Sequence, residues 1–400
     1  MDLSTGISSQ RTQYNKPRNP DVVCFSHLRW DFVFQRPQHL MSRFAQTRRV
    51  FFIEEPIMAD GDAGWSISEP IKNLIRCVPQ LPHGTDPDGQ VKLIQQLVSE
   101  LSRDWGIDKC VAWYYTPMML EWAEGLNSAV VVYDCMDELS KFRFAPTRLF
   151  ELERRLFGKA DLVFTGGNSL YNAKKKQHRS VHEFPSSIDA AHFRQALFNR
   201  DDPADQAAIG RPRIGYAGVI DERIDLELID GAAAAMLDWN FVMIGPVVKI
   251  DPDSLPRRAN IHYLGQKPYS ELPMYFSGWD VGMMPFALNE STEFISPTKT
   301  PEYLAAGLPV VSTAITDVVR PYGERGLVQI VSDAASFVKG VKEVVSDDPV
   351  DRIRRVDEFL AGRSWDITHK AMSNLIKKAG ERTLAASAGS HYREIPSLLG

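Results

Sequence analysis

The chain has no stretch of about 20 consecutive apolar residues, the length a membrane-spanning helix needs. Its start, Met1 to Pro20, is polar and has no apolar signal core. The expected location is cytoplasmic, or peripheral at the inner face of the membrane. Cysteine is scarce: Cys24, Cys77, Cys110 and Cys135 are the four, without CxxC or any other metal-ligand spacing. Cys24, Cys110 and Cys135 lie in or beside apolar runs, which suits buried thiols of a reducing compartment and not a disulfide frame. No GxGxxG follows a strand-like run and no GxxxxGK[ST] occurs, so the dinucleotide fingerprint and the P-loop are both missing. No repeat with a period of roughly 20–50 residues is present. Neither sign of charge dominates. Residues 1–200 carry 25 Lys and Arg against 23 Asp and Glu, and residues 201–400 carry 21 against 28, for a net −5 overall. That balance gives no case for a nucleic-acid partner.

What is present is an ordinary globular composition, 44% hydrophobic and 24% charged, over 400 residues, enough for two domains. Short apolar runs recur. Asp21–Ser26, Val50–Glu54, Cys110–Tyr114, Ala129–Tyr133 and Leu162–Thr165 read as strands in the first half. Arg213–Ala217, Asn240–Ile244, Ile261–Leu264, Val281–Met284 and Val310–Thr313 do so in the second. Amphipathic stretches such as Lys92–Trp105 and Arg148–Lys159 lie between them. Strands alternating with helices imply parallel sheets with right-handed crossovers. The pattern occurs twice across a polar junction, Asn199 to Asp205. The expected architecture is α/β, with two Rossmann-like parallel-sheet domains facing across a cleft. They are expected at 1–200 and 201–365. A helix over 366–400 returns towards the first domain and ends in a frayed tail, Ala385 to Gly400. Ligands of such sheets bind beyond the carboxyl ends of the strands.

The most informative stretch runs from Ser296 to Val311. Pro297 and Pro301 suit a helix entry, where a missing N–H costs little. Gly307 suits a left-handed cap, and Leu308–Val311 starts a buried strand. Lys299 and Glu302 fall on one helical face, at the end where backbone N–H groups are free and attract anions. A lysine beside a diphosphate and a glutamate on vicinal hydroxyls suit a nucleotide diphosphate with a ribose. The bland alternative is a capped core helix with a surface ion pair.

Three further constellations follow strands. The loop His27 to Arg36 concentrates His27, Arg29, Trp30, Asp31 and Arg36 before Pro37 opens a helix over Gln38–Ala45. Arginine can clamp carboxylate or phosphate with paired bonds, and tryptophan can stack on a sugar. This loop is the expected acceptor side. Asp134, Asp137 and Glu138 put three carboxylates at one strand end, where one could be a general base or all could merely favour a helix dipole. Gly218 in Gly215 to Asp221 would let backbone approach a ligand, and Arg223 stands near enough to reach phosphate. Lys174, Lys175, Lys176 and Arg179 form a basic run, read as a solvated face, with contact to anionic lipid head groups as the alternative.

Together these residues resemble a GT-B glycosyltransferase of the broad class related to family 4. The resemblance runs from about Asp21 to Trp365. It is carried by Ser296–Val311, by Asn260 to Gly265, by Trp279 to Phe286 and by Glu183 to Asp189, where Ser187 stands in place of a commoner Gly. Trp30-Asp31 through Arg36-Pro37-Gln38-His39-Leu40 resembles the TuaH-type subgroup of cell-envelope polysaccharide enzymes. Retaining members carry two glutamates eight positions apart. Here Phe294 stands eight before Glu302, with Glu293 one residue off. The arrangement is also similar to the glucuronosyltransferase of xanthan assembly, where an Asp-Gly-Leu segment supplies the base and a lysine lies in the donor helix. Asp137 and Lys299 match those positions.

The resemblance implies transfer of a sugar from a nucleotide donor, a UDP-sugar, to a glycan or lipid-linked acceptor, with no cofactor and no metal. Ser296, Thr298 and Lys299 would neutralise the diphosphate, with Gly218 and Arg223 nearby, and Glu302 would hold the ribose. Asp137 would take the acceptor proton, and His27, Arg29 and Arg36 would face the acceptor. A sugar-nucleotide epimerase of the same fold and a non-catalytic sugar-nucleotide-binding protein are the rival readings.

Overall fold

The computed structural model describes residues 19–142, 145–199 and 201–391. Met1 to Arg18, most of the polar start, Arg200 of the polar junction and the chain beyond His391 lie outside the described residues, as do the side chains of residues 385–391.

Two sheets form, each from the apolar runs. The first contains β1 (Asp21–Phe25), β2 (Val50–Ile53), β3 (Ile57–Ala59), β4 (Gly64–Ile71), β5 (Leu74–Pro82), β6 (Cys110–Tyr114), β7 (Ser128–Cys135), β8 (Leu162–Thr165) and β9 (Val181–Glu183). Its order is β3-β5-β2-β1-β6-β7-β8-β9, parallel throughout except that β4 pairs antiparallel with β5. The second contains β10 (Arg213–Ala217), β11 (Asn240–Ile244), β12 (Ile261–Gly265), β13 (Val281–Met284), β14 (Val310–Thr313) and β15 (Gln329–Val331). Its order, β12-β11-β10-β13-β14-β15, is the doubly wound 3-2-1-4-5-6, and every pairing is parallel. The central strands β1, β2, β6, β10 and β14 are buried at every residue, as strands covered by helices on both faces must be.

The sequence reading missed the β3–β5 excursion. β5 carries Pro79 and Pro82, which interrupt the row of N–H donors, and the second half of β4 is exposed, so neither shows an apolar run. β9 and β15 are three residues each and too short for a pattern to register.

The chain changes cores earlier than its polar junction suggests. Ile188, Phe193, Ala196 and Ile209 pack in the second-domain core, so residues 188–199 side with the second sheet. The expected break at 200–201 therefore lies beyond the crossing point, which follows β9 near Phe184–Ser187. The long helix Trp365–His391 crosses back. Trp365, Met372, Ile376 and Ala379 join Leu40, Phe44, Trp113 and Phe164 in a first-domain cluster. All four cysteines are buried free thiols. Among the described residues no helix is long and apolar enough to cross a membrane.

Candidate active site

In both sheets the strand order reverses beside the first strand, and loops diverge there to leave a crevice. These crevices face each other and merge into one cleft of about 410 Å3. That is within the roughly 300–1,000 Å3 of small-molecule sites. Loop 30–36, Met136, Asp137, Gly166 and Ser186 line it from the first domain. Residues 216–219, Arg223, Gly245, Gln266–Tyr269, Ser296–Lys299 and Glu302 line it from the second.

The Ser296–Val311 stretch folds as expected, with a helix at Lys299–Ala305, a left-handed Gly307 (φ 80°) and then β14. Tyr303, deep in that helix, fixes it to the sheet. Its hydroxyl accepts the Ala217 N–H at 2.7 Å, and its ring packs edge-on against Phe276 and Trp279. Lys299 is thereby held over the end of β10. Its Nζ lies 5.4 Å from the Tyr216 ring centroid. No carboxylate among the described residues makes an ion pair with it. Gly218, at φ 154°, has the conformation and the space this requires, because a Cβ there would collide with Cε and Nζ of Lys299. What approaches this glycine is thus the lysine side chain. Burial pushes the Lys299 ammonium down from its ordinary range, Glu302 opposing and Arg223 adding to the effect. Burial likewise pushes the Glu302 carboxyl up, with Lys299 opposing. The site therefore holds two poorly solvated groups that an anion and a polyol would satisfy.

Arg223 lines the cleft but its guanidinium is already paired with Asp221, through Nη2 at 2.7 Å and Nε at 2.9 Å. Thr298 lines the cleft directly before Lys299. Ser296 does too, but it also bridges the domains: the Ser186 hydroxyl donates to Ser296 O at 2.6 Å.

The three acids after β7 separate cleanly. Asp134 is fully buried and fixed by Arg36, whose Nη2 donates at 2.8 Å and Nε at 3.0 Å. Glu138 pairs with Lys174 at 2.8 Å, and Lys174 reaches Glu153 at 2.9 Å. Asp137 alone of the three lines the cleft. Burial pushes its carboxyl up, against the opposing charges of Arg223, Arg36 and Lys249, with Asp221 adding to the rise.

On the expected acceptor side, the two arginines are not free. Arg36 lines the cleft edge-on, but its guanidinium is used by Asp134 and by Phe184 O at 2.7 Å. Arg29 turns away to Glu54 at 3.1 Å and Glu55 O at 2.6 Å. They hold loop 27–35 in place, a role reinforced by the Trp30 N–H donating to Glu54 at 2.9 Å. His27 is half-buried and does not line the cleft. Its Nδ1 has no partner among the described residues, and burial pushes it down to about 4, so the ring is neutral near neutral pH. Trp30, Phe32 and Phe34 are what this loop presents. The basic run also loses its first member: Lys174 is buried, leaving Lys175, Lys176 and Arg179 on the surface. Glu293 is exposed, and Phe294 packs against the first-domain core.

Sequence reading missed Tyr303, Phe142 and Lys249. The 5.6 Å approach of both Arg223 and Lys249 to the Phe142 ring joins residues from different domains, which no local pattern records. Asp317 is a similar case. It reaches across to accept the Ser169 N–H at 2.9 Å, and a Cβ at Gly167 would collide with its carboxylate.

Two facing doubly wound domains with one shared cleft define the GT-B fold. Solved structures of that shape superpose over most of this chain. An E. coli protein described as trehalose-6-phosphate, bound with UDP-2-fluoro glucose, matches with a TM-score of 0.64 at 12% identity, covering 89% of this chain and 98% of that one. Sucrose-phosphate synthase from Thermosynechococcus elongatus matches with a TM-score of 0.60 at 14% identity, covering 92% and 100%. Residues 211–347 match the family model described as "Glycosyl transferases group 1". "Putative teichuronic acid biosynthesis glycosyltransferase TuaH" of Bacillus subtilis (strain 168) is 26% identical over 294 residues, 68% of each chain. The chain is a glycosyltransferase of the GT-B fold, and the second domain carries its similarity to group 1 glycosyl transferases.

Proposed function

We propose that the chain moves a sugar from a UDP-sugar to a glycan or lipid-linked acceptor in cell-envelope polysaccharide synthesis. The observation that carries the donor half is Lys299, a cleft-lining ammonium without an ion-pair partner among the described residues, seated over Gly218 at the end of β10. A diphosphate entering there meets a positive charge already in place, and the same charge stabilises the leaving UDP. Glu302, one helical turn on, accepts from ribose hydroxyls. UDP is favoured by the UDP-sugar bound in one structural neighbour, and the polysaccharide by the name of the B. subtilis relative.

Asp137 takes the proton of the attacking acceptor hydroxyl, since Asp134 and Glu138 are each committed to a buried cation. The acceptor lies against Trp30, Phe32 and Phe34, whose faces suit sugar rings. The Lys175, Lys176 and Arg179 surface faces anionic head groups at the inner membrane.

The test is incubation with UDP-glucose and a mixed acceptor extract from cell envelopes. Transfer gives UDP and a larger glycan. A new UDP-sugar without glycan growth would instead make the protein an epimerase, and binding with no product would make it a non-catalytic receptor.

A further inference from the structure

The acid segment 134–142 is tied to the first domain at its start and to the second domain at its end. Asp134 is locked by Arg36 and Glu138 by Lys174. The backbone at Met136 lies so close to Gly166 that a Cβ there would collide with the Met136 carbonyl. A short 3-10 turn, Leu139–Lys141, then leads to Phe142. The Phe142 ring receives two second-domain cations, the Arg223 guanidinium and the Lys249 ammonium, each 5.6 Å from its centroid. Both are within the roughly 6 Å of a cation–π contact. Lys141 adds a pair with Glu290 at 3.4 Å. Neither cation is freely placed. Arg223 is gripped by Asp221, and Lys249 sits in the left-handed region at φ 61°, uncommon for a residue other than glycine.

We infer that Phe142 is a positioning residue for glycosyl transfer: by docking on Arg223 and Lys249 it holds Asp137 against the donor half of the closed cleft. The inference rests on the reading of Asp137 as the base. Its consequence is that the base is completed only when the domains meet. The charges facing Asp137 are Arg36 from the first domain and Arg223, Lys249 and Asp221 from the second. Glu55 and His27 of the first domain lie within reach of Lys249. Releasing Phe142 lets the Asp137 segment draw back from Arg223 and Lys249, and a carboxylate that loses nearby cations is harder to ionise. The acidic limb of the pH–rate profile then moves to higher pH.

The experiment measures UDP release from UDP-glucose with the envelope extract, for Phe142→Leu, Phe142→Tyr and Asp137→Asn in the full chain. Phe142→Leu keeps apolar bulk and loses the ring face. Its kcat should fall roughly ten- to hundredfold, the cost of a misplaced reacting group. KM for UDP-glucose should be unchanged, and the acidic limb should rise by about half a pH unit. Phe142→Tyr keeps the ring and should restore both. A Phe142→Leu enzyme with normal kcat and an unmoved limb overturns the inference while leaving the base reading intact. So does a fall in kcat and melting temperature with the limb unmoved, which is a packing defect. A fully active Asp137→Asn overturns both.

Discussion

Replacing Lys299 by Met keeps a half-buried chain of similar length and removes one charge, and activity and stability should move in opposite directions. In the free protein the ammonium is poorly solvated and no ion pair among the described residues compensates it, so burial lowers its pKa from 10.5. A lysine whose folded pKa lies below its unfolded value is penalised by folding while it is charged. That penalty is full at pH below the folded pKa and disappears above the unfolded one. Lys299→Met should therefore melt no lower than wild type near neutral pH, and higher if the cleft stays dry. The difference should vanish on titration towards about pH 11. Catalysis responds the other way. Losing one fixed donor to a developing anion costs about 3–4 kcal/mol, a hundred- to thousandfold in kcat. Calorimetric titration with UDP adds an independent sign. Wild-type affinity should weaken as pH rises above neutrality, because the bound form needs the lysine charged, and Lys299→Met should be flat. Near-normal turnover in Lys299→Met would refute the donor-site reasoning. So would a lost activity accompanied by a lower melting temperature at neutral pH, since that marks a structural lysine.

Glu302→Ala should weaken UDP binding by about 1.5–3 kcal/mol, the value of a charged hydrogen bond, with little change in the melting temperature of the free protein. Destabilisation with intact binding would make Glu302 a helix cap. Asp137→Asn should lower glycosyl transfer roughly 10²–10⁴-fold and abolish the acidic limb while UDP still binds, as calorimetry on the same sample would show. Asp134→Asn should fail differently. It strands the buried Arg36 guanidinium and should cost about 3–5 kcal/mol of stability, visible in denaturant unfolding. Gly218→Ala should displace Lys299, since the added Cβ occupies its path, and should lose UDP affinity as Lys299→Met does without losing the fold.

The sequence by itself determined the pair of parallel sheets. Strands buried on both faces must be written as short continuous apolar runs, and ten such runs lie where strands form. It also determined the helix at Lys299–Ala305, because Lys299, Glu302 and Gly307 are local in the chain and their helical spacing alone places them. Tertiary structure decided which charges remain available. Arg29 and Arg36 look alike in sequence to any free anion-binding arginine. Yet their partners Glu54 and Asp134 lie 25 and 98 residues away, and only folding brings those carboxylates within hydrogen-bond distance. The same holds for the three acids after β7. Their order in the chain is fixed, but Asp137 is singled out because Arg36 and Lys174, from other elements, neutralise its neighbours. The point where the chain changes cores, and the docking of Phe142 on Arg223 and Lys249, depend likewise on contacts between segments far apart in sequence. Burial and long-range pairing set these charges, and a pattern read along one dimension holds neither.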